Sequence, residues 1–338
     1  MRVMQVEGQW GLNNIKRATR PKPRPRADEI LVQIGAVSIN PRDRVMVEGG
    51  YGQRGGQLPL VPLCDGAGYV VEAGDNVTLF KVGDLVIPSY SRSWLSGTFE
   101  SRFFSGAHGG PLDGMMQEYI TIPENAVTLA PKHFLVQDAA TLPCAAVTAW
   151  NALMVQAKIT AKRSVLIQGT GGVSMFALQI AKAVGAETIV LSGSEQKLER
   201  AKTSGADHRL NYKKYPDWER LVREMFPDGV DHIIDIGGAS TIDRAIRAVK
   251  PSGSISLIGV LGGIKSELDL ARVVTRNVRL QGVTVGSLEM LNGLCKFLED
   301  SKIFPIIDHT KTFAFDAVAT ALDDQQKGEH FGKIISVF

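Results

Sequence analysis

The sequence predicts an α/β protein, with a doubly wound parallel sheet in the second half of the chain and a β-rich domain in the first. Three observations carry that expectation. Val165, Leu166 and Ile167 form a short apolar run of the kind buried in parallel sheets, and Gly169, Gly171 and Gly172 then turn the chain into an apolar-periodic segment over 173–184. Beyond this turn, apolar runs at 188–191, 231–235, 254–258 and 280–285 alternate with helical patterns such as 242–249, as parallel strands joined by crossover helices require. Before residue 125 the pattern differs, since strand-like runs at 2–6, 30–38, 68–71, 85–87 and 116–122 are separated mostly by Gly or Pro.

The alanine-rich stretch 137–156 is helical in character and marks the change of regime. Residues 290–299 are amphipathic, and 311–315, 316–325 and 333–337 read as strand, helix and strand that extend the first domain. The expected domains are therefore 1–125 with 290–338, and 126–289.

A chain of 338 residues with 44% hydrophobic and 22% charged side chains is ordinary globular material, long enough for two domains. A net charge of +3 gives no case for a nucleic-acid partner, and the basic residues Arg17, Arg20, Lys22, Arg24 and Arg26 are interleaved with prolines as in a solvated loop. Cys64, Cys144 and Cys295 are odd in number and far apart, the pattern of a reducing compartment. No stretch has the length of a membrane span and the first ten residues lack the apolar core of a signal peptide, so the expected location is cytoplasmic.

The glycine turn carries the chemistry. A helix that starts directly after a tight turn leaves backbone N–H groups unpaired at its positive end, and glycines let a pyrophosphate approach without meeting a Cβ atom. Gly169, Thr170, Gly171, Gly172 and Val173 are the candidate cradle, with Ser174 at the third fingerprint position, where a glycine is usual. About twenty residues on, where a dinucleotide fold places its ribose-binding residue, stands Ser192 and no acid. Ser192, Ser194 and Lys197 offer donors and positive charge to a 2′-phosphate, which favours NADP(H) over NAD(H). Gly237, Gly259, Val260 and Val285 fall at the carboxyl ends of expected parallel strands, where open α/β sheets bind ligands.

Several strings together resemble the medium-chain dehydrogenase/reductase superfamily: S-I-N-P-R-D (38–43), D-G-A-G-Y-V-V-E-A-G (65–74), K-V-G-D-L-V (81–86), A-T-L-P-C-A-A-V-T-A-W-N-A-L (140–153), the glycine turn, G-A-D-H-R-L-N-Y (205–212) and H-F-G-K-I-I (330–335). The resemblance implies a GroES-like catalytic domain around a Rossmann domain. It implies that Asn40 and Thr148 lie beside the nicotinamide and that Tyr212 contacts the adenosine 2′-phosphate; a strand-end packing role is the other reading of Tyr212.

Zinc-dependent members hold a catalytic metal at positions matching Asn40, Cys64 and Cys144, and a structural metal with four cysteines in the region 89–114. That region contains no cysteine here, and an amide is a poor third zinc ligand beside two thiols. The expectation is therefore no metal, with Cys64 and Cys144 as small buried apolar residues. The hydroxyl and imidazole of the zinc enzymes' proton relay correspond to Arg42 and Val45. The implied activity is a zinc-independent reductase passing a hydride from NADPH to a quinone, enone or similar activated carbonyl. Asn40 is either a donor at the chemistry or a turn residue before Pro41. Tyr51 either orients substrate and delivers a proton or is a plain loop tyrosine. A zinc-free NAD(P)-dependent alcohol dehydrogenase and a low-turnover NADPH-binding protein are the alternatives. The resemblance further implies a homodimer paired through the 280–285 strand.

Overall fold

Six parallel strands, in the order His208–Asn211, Glu187–Ser192, Ser164–Gln168, Val230–Asp235, Val249–Leu257 and Arg279–Gly282, form the sheet that the alternating pattern predicts. The strand order reverses direction beside Ser164–Gln168, which makes the switch point where open sheets of this kind take their ligands. Val165, Leu166 and Ile167 are wholly buried, and each such side chain contributes roughly 1.5–3 kcal/mol on leaving water. Leu166, Ile189, Trp218, Ile233, Ile246 and Ile255 belong to one core between this sheet and its helices.

The computed structural model describes residues 1–338. They divide into two compact units, Met1–Val147 with Val285–Phe338, and Thr148–Thr284. Residues 126–147 join the first unit because the strand Val127–Leu129 pairs antiparallel with Leu85–Pro88.

The first unit is built on a seven-stranded sheet in the order Ile307–Ala314, Lys333–Val337, Glu29–Ile39, Asp65–Ala73, Leu85–Pro88 and Val127–Leu129, with Tyr119–Pro123 also paired to Glu29–Ile39. A separate two-stranded ladder joins Arg2–Val6 to Ile15–Thr19. The central strand pairs on one side with Lys333–Val337 (Ile334 opposite Ile39) and on the other with Asp65–Ala73 (Ser38 opposite Asp65). Two registers therefore set Lys333, the 38–40 segment and Asp65 in one row across the sheet.

One expected strand is corrected. The last parallel strand is Arg279–Gly282, because its neighbour ends at Leu257 opposite Gly282 and offers no further ladder. Val285 lies beyond it, buried, with a left-handed φ of 50°, and groups with the first unit instead of ending a strand of the second. The strand is also not the apolar edge expected of it, since Arg279, Gln281 and Gly282 are exposed and Leu280 is half-buried.

Candidate functional site

In the first unit, the row set by strand register ends in a closed polar cluster. Asn40 precedes the short helix Pro41–Val47, and its backbone N–H donates to Asp43 Oδ2 at 2.9 Å. Its side chain is 3% exposed. Asn40 Nδ2 donates to Asp65 Oδ2 (2.9 Å) and reaches Asp43 Oδ2 (3.4 Å) and Cys64 Sγ (3.6 Å), while Asn40 Oδ1 accepts from Lys333 Nζ at 2.7 Å. A lysine can only donate and a carboxylate can only accept, so these partners fix which way the amide faces. Lys333, 2% exposed, also donates to Ile39 O (3.0 Å) and lies 3.5 Å from Asp65 Oδ2, which accepts from Ser38 Oγ at 2.8 Å.

Arg42, Tyr51 and Tyr90 adjoin this cluster. The Arg42 guanidinium donates to His108 O (3.1 Å) and Gly110 O (3.4 Å), sits 3.7 Å from Asp43 Oδ1, and lies over the rings of Tyr90 (5.0 Å) and Tyr51 (5.7 Å). Burial pushes the Asp43 carboxyl up, against the pull of Arg42. Burial, the neighbouring Cys144 thiol, and the carboxylates Asp43 and Asp65 push the Cys64 thiol well above the usual range. Tyr51 is 39% exposed, and partial burial raises its phenol so that it keeps its proton at neutral pH.

Cys64 Sγ, Cys144 Sγ and a carboxylate oxygen of Asp65 lie within 4.8 Å of one another. This set does not fit the catalytic zinc of zinc-dependent relatives. Asp65 Oδ1 accepts from the Cys64 thiol at 3.5 Å, Asp65 Oδ2 takes Ser38 and Asn40 and faces the Lys333 ammonium, and the amide offers Cys64 a donor where a ligand lone pair would be needed. The cysteine-free 89–114 segment is held differently: Trp94 stacks on Phe103 at 5.8 Å, and Phe99 packs edge-on against Trp94 (5.0 Å) and Phe104 (4.9 Å). Such aromatic pairs are each worth about 0.5–1.5 kcal/mol beyond their burial.

The second unit carries the glycine turn, the candidate cradle for a dinucleotide. Gly169 adopts φ 76° at the end of Ser164–Gln168, and a Cβ there would stand 2.7 Å from Ile236 Cδ1. Gly171 is the N-cap of the helix Gly172–Ala183, so the first N–H groups of that helix open onto the turn, with Thr170 buried and Val173 half-buried beside them. Ser174 donates to Gln168 O at 2.7 Å, tying helix to strand at the place where a glycine is usual.

At the adjoining strand end Ser192 is buried, Ser194 N donates to Ser192 Oγ (3.3 Å), and Ser194 Oγ caps the helix Glu195–Thr203 by accepting from Lys197 N (3.4 Å). Tyr212 N donates to Ser192 O at 3.2 Å, and a Cβ on Gly193 would meet the Tyr212 hydroxyl and Lys213 Cε at 2.9 Å each. Ser192, Ser194 and Tyr212 are thus brought to one loop cluster. The unpaired N–H groups at the start of the helix Gly172–Ala183 are of the chemistry that suits a pyrophosphate, and the Ser192 and Ser194 hydroxyls lie at the adjoining strand end. Gly237 N donates to Gln168 Oε1 (3.3 Å), Gly259 leaves no room for a Cβ against Ile236 O (2.6 Å), and Val260 is exposed, all at the carboxyl end of the same sheet. Thr148 opens this unit, buried in the helix Val147–Trp150.

Sequence reasoning missed Lys333, Asp65, Ser38 and Asp43 as site residues. Lys333 stood in the quoted H-F-G-K-I-I string, but nothing local links it to Asn40, which is 293 residues away. Lys213 was missed too, although it directly follows Tyr212. The Asn40 amide donates to the Asp65 and Asp43 carboxylates.

Two family models match the chain: an alcohol dehydrogenase GroES-like domain over residues 26–132 and a zinc-binding dehydrogenase model over residues 172–300. A zinc-type alcohol dehydrogenase-like protein of Schizosaccharomyces pombe is 38% identical over 314 residues, covering 91% of this chain and 90% of its own. The NADPH-dependent alkenal/one oxidoreductase of Arabidopsis thaliana is 30% identical, covering 93% of this chain and 73% of its own. A solved structure from Sinorhizobium meliloti, assigned as an alcohol dehydrogenase, superposes with a TM-score of 0.92 at 37% identity over 100% of this chain and 99% of its own. Fold and cradle define a nicotinamide-dependent oxidoreductase. The chain belongs to the medium-chain dehydrogenase/reductase superfamily.

Proposed function

We propose that this oxidoreductase is a zinc-independent, NADPH-dependent reductase of enones, quinones or similar activated carbonyl compounds. The observation that carries the reading is the Lys333–Asn40–Asp65 network, in which an ammonium and an amide stand where a metal centre would need ligands. The Arabidopsis relative named for NADPH and alkenals or enones supports it, as does a 2-methylene-furan-3-one reductase of Solanum lycopersicum at 32% identity over 93% of this chain and 72% of its own.

When bound, the dinucleotide supplies a hydride to an electrophilic carbon conjugated with a carbonyl. The chain's own residues position and protonate. Ser192, Ser194, Lys197 and Tyr212 hold the 2′-phosphate, and the Gly169–Val173 backbone holds the pyrophosphate. Tyr51, protonated at neutral pH and exposed, is the group that can pass a proton to substrate, while Asn40 and Lys333 keep the Asp65 carboxylate paired beside the thiols. No metal is needed, because the substrate's own carbonyl spreads the arriving negative charge.

The test is the consumption of NADPH with a panel of enones, quinones and simple alcohols, before and after exhaustive chelation, together with elemental analysis. Enone or quinone turnover that survives chelation, without stoichiometric zinc, is expected. One zinc per chain with activity lost on chelation would overturn the reading, and alcohol oxidation by metal-free protein would favour a zinc-free alcohol dehydrogenase instead.

The same reading includes a homodimer. Val260, Leu261, Ile264, Leu270 and Val274, each more than half exposed, lie along one segment just before the free edge strand Arg279–Gly282, and such an edge invites pairing with a second copy. Light scattering at micromolar concentration should give twice the chain mass, 36.6 kDa, and a monomeric mass would count against it.

A further inference from the structure

At the amino end of the parallel sheet, opposite the glycine cradle, the second unit holds a cavity of about 420 Å³ lined by five arginines and two glutamates. Arg247 ends the helix that feeds the strand Val249–Leu257, and Arg276 stands just before Arg279–Gly282. Gly237 and Gly259 lie at the other end of the same strands. At about 3.3 Å per residue, the nine residues of Val249–Leu257 separate the two places by roughly 25–30 Å.

Some of the positive charge is accounted for. Arg247 pairs with Asp243 (2.8 Å) and Arg272 with Asp269 (3.4 Å), while Arg276 spends its guanidinium on the carbonyls of Ile246, Arg247 and Val249. The Glu219 carboxylate faces Arg244 at 3.7 Å. Arg220 and Arg223, one turn apart or less on the helix Trp218–Met225, have no such partner, and Arg223 Nη1 is shut off from solvent without a hydrogen bond. Like charges gathered here repel: burial first, then Arg223 and Arg272, hold Arg276 below the usual arginine range. A shielded guanidinium nitrogen left unpaired costs free energy that an anion with several acceptor oxygens would recover.

We propose that this cavity is a second anion site, distinct from the dinucleotide cradle, that takes a ligand carrying two or more linked phosphate groups. The planar forks of Arg220 and Arg223 match phosphate oxygens in pairs, while Arg272 and Arg276, already partnered, add positive charge to the lining. A single small anion would leave part of the cavity unfilled; linked phosphates span it.

The experiment is a calorimetric titration of the full chain with inorganic pyrophosphate and tripolyphosphate at constant ionic strength, with and without saturating NADPH, because the glycine cradle also accepts phosphates. Saturable binding of one anion per chain that persists with NADPH present is expected. R220Q/R223Q should weaken it at least about tenfold, as loss of charge-assisted hydrogen bonds does, while the affinity for NADPH stays unchanged. Without anion, R223Q should melt at a higher temperature than the parent, since a repulsion is removed. R220Q alone, at an exposed position, provides the test if the double variant does not fold. Binding that NADPH abolishes, binding indifferent to R220Q and R220Q/R223Q, or sulfate binding as tightly as tripolyphosphate would overturn the proposal, the last because it would reveal only screening of a basic surface. Binding confined to acidic peptides would overturn it in favour of a protein partner.

Discussion

The polar cluster of the first unit and the cradle of the second solve opposite problems. Around Asn40 every charged group faces another across a buried space: Lys333 and Asp65 are 2% and 0% exposed at their side chains, and their value depends on staying paired. Around Gly169 the first N–H groups of the helix Gly172–Ala183 have no side-chain cap, and a Cβ on the turn would meet Ile236. A closed network tolerates the loss of no member. An open cradle tolerates much, provided nothing intrudes.

Removing one partner from the closed network should have the largest effect. Lys333→Met leaves Asp65 buried without its ammonium and should cost about 3–5 kcal/mol in urea unfolding, the range for breaking a buried ion pair. A loss below about 1 kcal/mol would show that the carboxylate is not held as the geometry implies.

In the cradle the sensitive change is an intrusion. Ser192→Asp puts a negative charge where a 2′-phosphate would sit and offers a free ribose an acceptor, moving the preference between NADPH and NADH by roughly 2–4 kcal/mol. Dissociation constants for both dinucleotides with both proteins measure it, and unchanged ratios would mean that the ribose lies elsewhere.

The smallest effect divides between the units. Burial holds His108, beside the Arg42 cluster, at about 4 and His232, in the parallel sheet, at about 3. Both remain neutral in the folded chain while an unfolded histidine titrates near 6.5, so their stabilisation is intact at pH 7 and is lost as pH falls through the window below 6.5. Each should withdraw about 2 kcal/mol between pH 7 and pH 5. Thermal melts over that range should flatten by about that amount in His108→Gln, and an unaltered slope would assign the acid sensitivity to other groups.

Legibility followed the same division. The strand Ser164–Gln168, its glycines and the helix after them are contiguous, so apolar run, turn and periodicity were readable together. The helix Glu195–Thr203 was not read, because only Leu198 and Ala201 are buried in it and so sparse a stripe leaves no apolar period; the capping serine before it was its one local mark. Ile15–Thr19 was missed for a related reason, since none of its residues is fully buried. In the first unit, Asn40, Cys64 and Cys144 were legible through resemblance, yet the ammonium that holds Asn40 was not. Lys333 is placed by two ladder registers, and no window of sequence contains both sides of a ladder that long.

The strand Lys333–Val337 pairs with Glu29–Ile39 across nearly the whole chain, whereas Thr148–Thr284 is one uninterrupted stretch. During synthesis the parallel sheet can therefore close while the first unit is still missing a central strand. Until Lys333 emerges, Asp65 has no ammonium to face and the central strand keeps an open edge, the kind of surface that chaperones hold and that other chains capture. Residues beyond about 300 supply the strand that brings Lys333 to Asp65, so a translational stall there would leave the parallel sheet of the second unit complete and the sheet of the first unit open.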